Sequence, residues 1–175
     1  MDDLLLQIEP MIPALRRYAR GLLGHHDTAD DIVQDCLEKV VLHWGRRRGE
    51  NPRSWVFAIL HNLAVNRLRQ DARRGGGVPI DDAPESASAR EATQEDSVYQ
   101  NQVMAAIERL PPDHRSILLL VSVEDLSYAE VAKVLDIPLG TVMSRLSRAR
   151  EQLRTILETH PSTTSANGPY IRRVK

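Results

Sequence analysis

Apolar residues recur at steps of three and four along most of this chain. That spacing puts them on one face of an α-helix, whereas a half-buried strand would alternate apolar and polar residues. We find no convincing alternation, so the sequence predicts an all-α fold. The helical pattern stops between residues 75 and 96, where Gly, Pro, Ser, Ala and acidic residues dominate. The helices must therefore fall into two groups.

These limits predict two small helical domains, residues 1–75 and 97–158, joined by a flexible acidic linker at 76–96. The linker carries too little apolar surface to offset the entropy of ordering it. Residues 159–175 are polar and terminal, which predicts a disordered tail.

Start and stop signals divide the first domain into helices. One is firm over Pro13–Leu23 and stops at Gly24. A second is capped by Asp27 or Thr28 and runs to about Trp44. A third opens at Pro52, where the missing N–H costs nothing, and ends near residue 74. The second helix is predicted to bury Ile32, Val33, Leu37, Val40, Val41 and Trp44.

The formal net charge is only −1, but charge is unevenly distributed. Residues 46–74 hold eight arginines against two acids, and residues 27–38 hold five acids with no Lys or Arg. Such blocks predict separate faces for separate partners.

Several classes of protein are disfavoured by what the sequence lacks. Cys36 is the only cysteine, so no disulfide framework or cysteine zinc cluster is expected. No apolar run approaches a membrane span, and the acidic N-terminus is unlike a signal peptide, which predicts a cytoplasmic protein without membrane insertion. A Gly-rich phosphate loop, a nucleophile with a base and paired carboxylates in an apolar pocket are all missing. We therefore expect no enzyme, no cofactor and no metal site.

Residues 126–151, LSYAEVAKVLDIPLGTVMSRLSRARE, have the pattern of a helix-turn-helix. Ser127 caps the first helix with Glu130 as its capping-box partner, and a second helix starts near Leu139 after a short turn. One side of that second helix is apolar, and the other is small and cationic. A solvated amphipathic helix is the alternative, but the capped helix and tight turn before it favour DNA binding.

Three motifs together resemble the extracytoplasmic-function, or group IV, sigma factors of bacteria. The helix-turn-helix resembles sigma domain 4, which reads the −35 promoter element. DTADDIVQDCLEKVVLHW resembles the domain 2 helix that docks on RNA polymerase, and NPRSWVFAILHNLAVNRLRQDARR resembles the part that reads and melts the −10 element. The resemblance covers about residues 10–157 and implies an alternative sigma factor that directs promoter-specific transcription initiation.

The resemblance, with the residue chemistry, selects three groups of site residues. The −35 candidates are Thr141, Ser144, Arg145, Ser147 and Arg148. The −10 candidates are Asn66, Arg67, Arg69, Arg73 and Arg74, with Asn66 expected in a base-capturing loop that breaks the helix at AVN. The candidates for binding the β′ clamp helices of core RNA polymerase are Asp31, Gln34, Asp35 and Glu38, whose spacing forms one polar stripe, although an ordinary solvated face fits their charge equally.

Other readings stay open at this point. Trp55 and Phe57 can stack on melted bases, but core packing is favoured because the domain has few other large side chains. Cys36 is expected to be a half-buried structural thiol, not a redox switch. The implied partners are core RNA polymerase, promoter DNA and an anti-sigma factor. The rival functions are a stand-alone helix-turn-helix DNA-binding regulator and a sigma mimic that sequesters an anti-sigma factor.

Overall fold

The computed structural model describes residues 2–46, 51–75 and 94–159, and contains no strand within them. The all-α prediction is confirmed. The helices are α1 (Asp2–Ile8), α2 (Ile12–Leu23), α3 (His26–His43), α4 (Pro52–Arg73), α5 (Gln94–Glu108), α6 (Pro112–Leu118), α7 (Tyr128–Leu135) and α8 (Leu139–Thr159). We call α1–α4 the N-terminal module and α5–α8 the C-terminal module.

The ends of α2 follow from proline and glycine. A 3-10 turn at Glu9–Met11 carries Pro10 and leads into α2. Gly24 ends the helix in the left-handed conformation (φ 78°), and its N–H donates to the carbonyl of Arg20. The predicted stop is confirmed, because glycine adopts this conformation without a Cβ clash.

Helix α3 begins earlier than predicted and without the predicted cap. Its N-cap is His25, which makes no side-chain capping bond, so the assignment of the cap to Asp27 or Thr28 is wrong. Asp27 lies instead in the first turn, where the positive end of the helix dipole stabilises its carboxylate.

Helix α4 is continuous, which corrects the predicted loop at AVN. Asn51 caps it, its Oδ1 accepting from the Arg53 N–H at 3.0 Å. The helix then runs unbroken to Arg73, and Ala64 is buried on its inner face. Asn66 is therefore an exposed helical residue and does not lie in a loop.

The core of the N-terminal module is built around Leu15, Tyr18, Phe57 and Leu60, all fully buried. The Tyr18 and Phe57 rings meet edge to face, with centroids 5.6 Å apart. The predicted α3 stripe is correct in outline, with one exception. Val41 is 59% exposed, because it faces away from α2 and α4.

In the C-terminal module the helix-turn-helix forms as predicted. Ser127 Oγ accepts from the Glu130 N–H, and the Glu130 carboxylate accepts from the Ser127 N–H at 2.9 Å, so the capping box is confirmed. Val142 and Leu146 of α8 are buried against the module core. Helix α5 starts at Gln94, so the end of the predicted linker is helical. Residues 76–93 of the predicted linker and 160–175 of the predicted tail lie outside the described residues.

The two modules pack against each other and share one apolar core. Helix α4 lies against α7, while α2 lies against α5, α6 and a π-helical segment, Leu119–Val123, that follows α6. The helices come close at Gly21, where an added Cβ would lie 3.0 Å from Leu119 Cδ1. The sequence predicted a tether and gave no sign of this packing.

His61 predicts a pH dependence of stability. Its Nδ1 is hydrogen-bonded to the buried Tyr18 hydroxyl at 2.9 Å. Burial lowers the pKa of His61 to about 4; Asp113 opposes this shift and Arg69 adds to it. As pH falls from 6.5 towards 4, the unfolded chain takes up the proton first, so the free energy of unfolding should fall, by up to about 3 kcal/mol.

Urea denaturation between pH 4 and 7 measures this dependence. In His61→Gln the fall should be reduced by about that amount, and His25→Gln, which removes an exposed imidazole of the same module, is the control. Identical profiles for His61→Gln and wild type would contradict the assignment.

Candidate nucleic-acid and protein-binding surfaces

The outer face of α8 is small, polar and cationic. Ser144, Ser147 and Arg148 are exposed, and Thr141 is half-buried beside them. Arg145 is half-buried, and it is less available to a ligand because its guanidinium pairs with Asp113 of α6 at 3.3 Å. A helix with small side chains and an exposed arginine fits the dimensions of a DNA major groove.

Exposed apolar side chains border this face, which sequence reasoning did not assign to the site. Leu139 is 45% exposed and Met143 is 50% exposed. Tyr128 of α7 lies beside Met143 and Leu146 in a shallow groove. The exposure of Met143 could have been predicted from the sequence, because helical spacing places it outside the buried stripe of Val142 and Leu146.

The C-terminal half of α4 forms a cationic face. Asn66, Arg69, Arg73 and Arg74 are all exposed. Arg67 differs, since its Nε donates to both oxygens of the Asp71 carboxylate at 3.1 Å. Four of the five −10 candidates, including the C-cap residue Arg74, are thus available to a ligand, while the fifth is paired within the helix.

The acidic stripe of α3 is an exposed line. Asp31, Gln34, Asp35 and Glu38 are all exposed, and the Gln34 amide donates to Glu38 at 3.3 Å. The neighbouring Asp30 is instead paired with Arg20 at 3.2 Å. The structure places the four predicted residues together on one face of α3.

The stripe continues into apolar surface. Val41 and Leu42 are 59% and 73% exposed near the end of α3. Val41 was predicted to lie in the core, and Leu42 was not predicted to belong to any site. An acidic line that ends in exposed aliphatic side chains resembles a protein-binding surface more than a solvated face.

Two aromatic side chains and the cysteine belong to the core. Phe57 is fully buried, and Trp55 is half-buried with its ring 6.1 Å from that of Trp44. Cys36 is also fully buried, more so than predicted, and burial raises the pKa of its thiol to about 12. These positions favour packing over base stacking or redox chemistry.

Within the described ranges, no three His, Cys, Asp or Glu residues lie close enough to hold a metal ion. Across the same ranges, no helix combines the length and apolar character required to cross a bilayer.

Comparison with known proteins covers both modules. Residues 100–153 match the family model for region 4 of sigma-70, and residues 8–61 match the model described as the Sigma2 domain of PhyR. The ECF RNA polymerase sigma factor EcfG of Rhodopseudomonas palustris is 32% identical over 160 residues, which are 89% of this chain and 86% of that protein. The chain belongs to the extracytoplasmic-function sigma factors.

Two further similarities agree with this assignment. The sigma factor SigE of Mycolicibacterium smegmatis is 32% identical over 152 residues, 85% of this chain and 59% of that protein. The structure of the sigma factor RpoE with the anti-sigma factor NepR from Bartonella quintana matches with a TM-score of 0.76 and 29% identity, over 90% of this chain and 98% of that one. Sigma factors are initiation factors and not enzymes, so that prediction is confirmed by the relatives. The domain limits and the residue roles stay predictions.

Proposed function

We propose that this sigma factor binds core RNA polymerase through the acidic stripe of α3 and carries two DNA-binding surfaces. The stripe suits the basic coiled surface of the β′ clamp helices, because four exposed polar residues lie in register on a rigid helix. The protein would act in the cytoplasm with the polymerase.

The two cationic surfaces would divide the promoter between them. The α8 face reads the −35 element, and the exposed arginines of α4 hold the −10 element near Asn66. Arginine contacts to phosphate supply affinity without sequence information, whereas a groove-bound helix supplies the sequence readout. The observation that carries the proposal is the capped helix-turn-helix that exposes Ser144, Ser147 and Arg148.

An anti-sigma factor is the proposed inhibitor. The RpoE chain that this structure resembles is bound to the anti-sigma factor NepR. The exposed apolar residues Met143 and Leu42, next to the proposed DNA and polymerase surfaces, offer an inhibitor contact area that overlaps both.

Run-off transcription with purified core polymerase tests the whole proposal. Transcripts should start at the promoter only when the chain is added. Tight, specific DNA binding without polymerase, and no transcript, would favour a stand-alone regulator. Binding to an anti-sigma factor alone, with neither DNA binding nor transcription, would favour a sigma mimic.

Arg148→Ala should weaken promoter binding by the holoenzyme at −35-dependent promoters. One arginine contact to a base or phosphate contributes about 1–3 kcal/mol, so about 5- to 150-fold more holoenzyme should be needed for half-maximal transcription. The matched control is Arg109→Ala, an exposed arginine of the same module outside α8. Equal transcription by wild type and Arg148→Ala at such promoters would contradict the placement of α8.

A further inference from the structure

Glu124 is a fully buried carboxylate between the two modules. It lies just after the π segment of the C-terminal module, and its side chain is 0% exposed. Its only ion-pair partner within the described residues is Arg17 of α2, whose Nε and Nη2 donate to the two carboxylate oxygens at 2.8 and 2.7 Å. Such a two-bond pair is geometrically specific and strong.

The backbone of the same residue is also held by the N-terminal module. Arg53 of α4 donates to the Glu124 carbonyl oxygen, and the Arg53 guanidinium lies over the Phe57 ring at 5.9 Å. We call Glu124, Arg17 and Arg53 the latch. Two helices of one module thus bind a single residue of the other.

Two further contacts join the modules around the latch. Arg115 of α6 donates to the Leu22 carbonyl at the end of α2 at 2.9 Å. Asn51, the cap of α4, donates to Glu130 at 2.7 Å, and Glu130 is the capping-box residue of α7. The latch therefore adjoins the end of α2 and the starts of α4 and α7.

The local backbone is unusual where the latch forms. The π segment replaces an α-helical turn before Glu124, and Asp125 after it has a positive φ of 52°. A positive φ is uncommon for residues other than glycine, and π segments are rare and recur at functional positions. Here they turn the Glu124 carboxylate towards α2 and the Glu124 carbonyl towards α4.

The packed arrangement is too small to reach both promoter elements. Elements centred near −35 and −10 are about 25 base pairs apart, which is about 85 Å of B-form DNA. A compact chain of this length has a radius of gyration of about 16 Å, and thus a diameter near 40 Å. The modules must therefore separate before one chain contacts both elements.

We propose that the latch holds the free sigma factor closed, and that its opening is a required step in forming the initiation complex. The need for opening rests on the function proposed above, whereas the latch itself is a property of the free chain. Arg17 is already half exposed, and separation of the modules would expose Glu124 as well, so both charges would be hydrated in the open form. The closed arrangement is thus encoded by the chain's own residues, and an inhibitor would bind it already formed.

Small-angle X-ray scattering of the full free chain tests the latch without polymerase or DNA. Wild type should be compact. Arg17→Gln leaves the Glu124 carboxylate buried and unpaired in the closed state, which should shift the closed-to-open ratio by roughly 100-fold. Its radius of gyration should rise by about 7 Å if the module centres move to about 40 Å apart. Arg16→Gln is the matched control, because Arg16 is the exposed neighbour of Arg17 and forms no ion pair in the parts of the chain described.

Circular dichroism would reveal whether Arg17→Gln has simply misfolded. Two more variants keep the proposal testable in that case. Gly21→Leu places a side chain against Leu119 and should open the modules while the charges remain, whereas Gly45→Leu meets nothing within 4 Å of its Cβ and should stay compact. The double variant Arg17→Gln with Glu124→Gln leaves no unpaired buried charge and should be more compact than Arg17→Gln alone.

The latch proposal is wrong if the wild-type chain is already extended, or if Arg17→Gln and Arg16→Gln scatter alike. Run-off transcription by wild type reports separately on the proposed function. At limiting polymerase, Arg17→Gln should also produce more run-off transcript than wild type, because less free energy is needed to separate its modules.

Discussion

Reversing the charges of Asp31 and Asp35 to lysine is expected to weaken severely the binding of this sigma factor to core RNA polymerase. Both carboxylates are exposed on one face of α3 and are therefore available to a binding partner. Placing like charges against a basic surface costs several kcal/mol. Two reversals should therefore weaken association at least about 100-fold and remove run-off transcripts at matched concentrations.

The control must change the net charge equally without touching α3. Asp3 and Glu9 are exposed acids of the same module, so Asp3→Lys with Glu9→Lys meets that need. Affinity for core polymerase, measured by fluorescence anisotropy at several salt concentrations, separates local from general charge effects. Unchanged affinity in the α3 variant, or an equal loss in both variants, would contradict the assignment of the stripe.

The helix-turn-helix was predictable because its signals are local. The capping box needs only Ser127 and Glu130, three residues apart, and the buried stripe of α8 follows from helical spacing. The exposed stripe of α3 follows from the same periodicity. Where neighbours in sequence decide the structure, the sequence predicted it correctly.

The continuity of α4 was also readable from its spacing, but the family pattern suggested a break. Val56, Leu60 and Ala64 recur every four residues and are all fully buried, so the inner face passes through the predicted loop. Asn66 then lies one turn from the cationic end of the same helix, with its side chain exposed. Any base contact by Asn66 must start from this helical position.

The packing between modules was beyond sequence reasoning. Glu124 and Arg17 are 107 residues apart, and neither belongs to a motif that predicts the other. From the sequence alone Glu124 would be predicted to lie on the surface, because carboxylates are rarely buried without a partner. Val41 was missed for a related reason: helical spacing defines a stripe, but the neighbouring helices decide which edge of it is covered.

Phe57→Ala is expected to cost the free energy of unfolding about 3–5 kcal/mol, the usual range for removing a buried phenylalanine. Phe57 is 0% exposed and its ring meets Tyr18, whose hydroxyl is bonded to His61. Its removal leaves a cavity where α2 and α4 meet. Phe57→Leu, which fills most of that space, should lose much less.

Chemical denaturation and run-off transcription together separate the two roles open to this ring. If Phe57 fills the core, Phe57→Ala lowers the denaturation midpoint, and transcription on a pre-melted promoter falls as much as on duplex DNA. If the ring instead stacks on melted bases, stability would be unchanged and only the duplex promoter would lose activity. A loss of unfolding free energy below about 1 kcal/mol would contradict the core assignment, because complete burial of a phenylalanine contributes more than that.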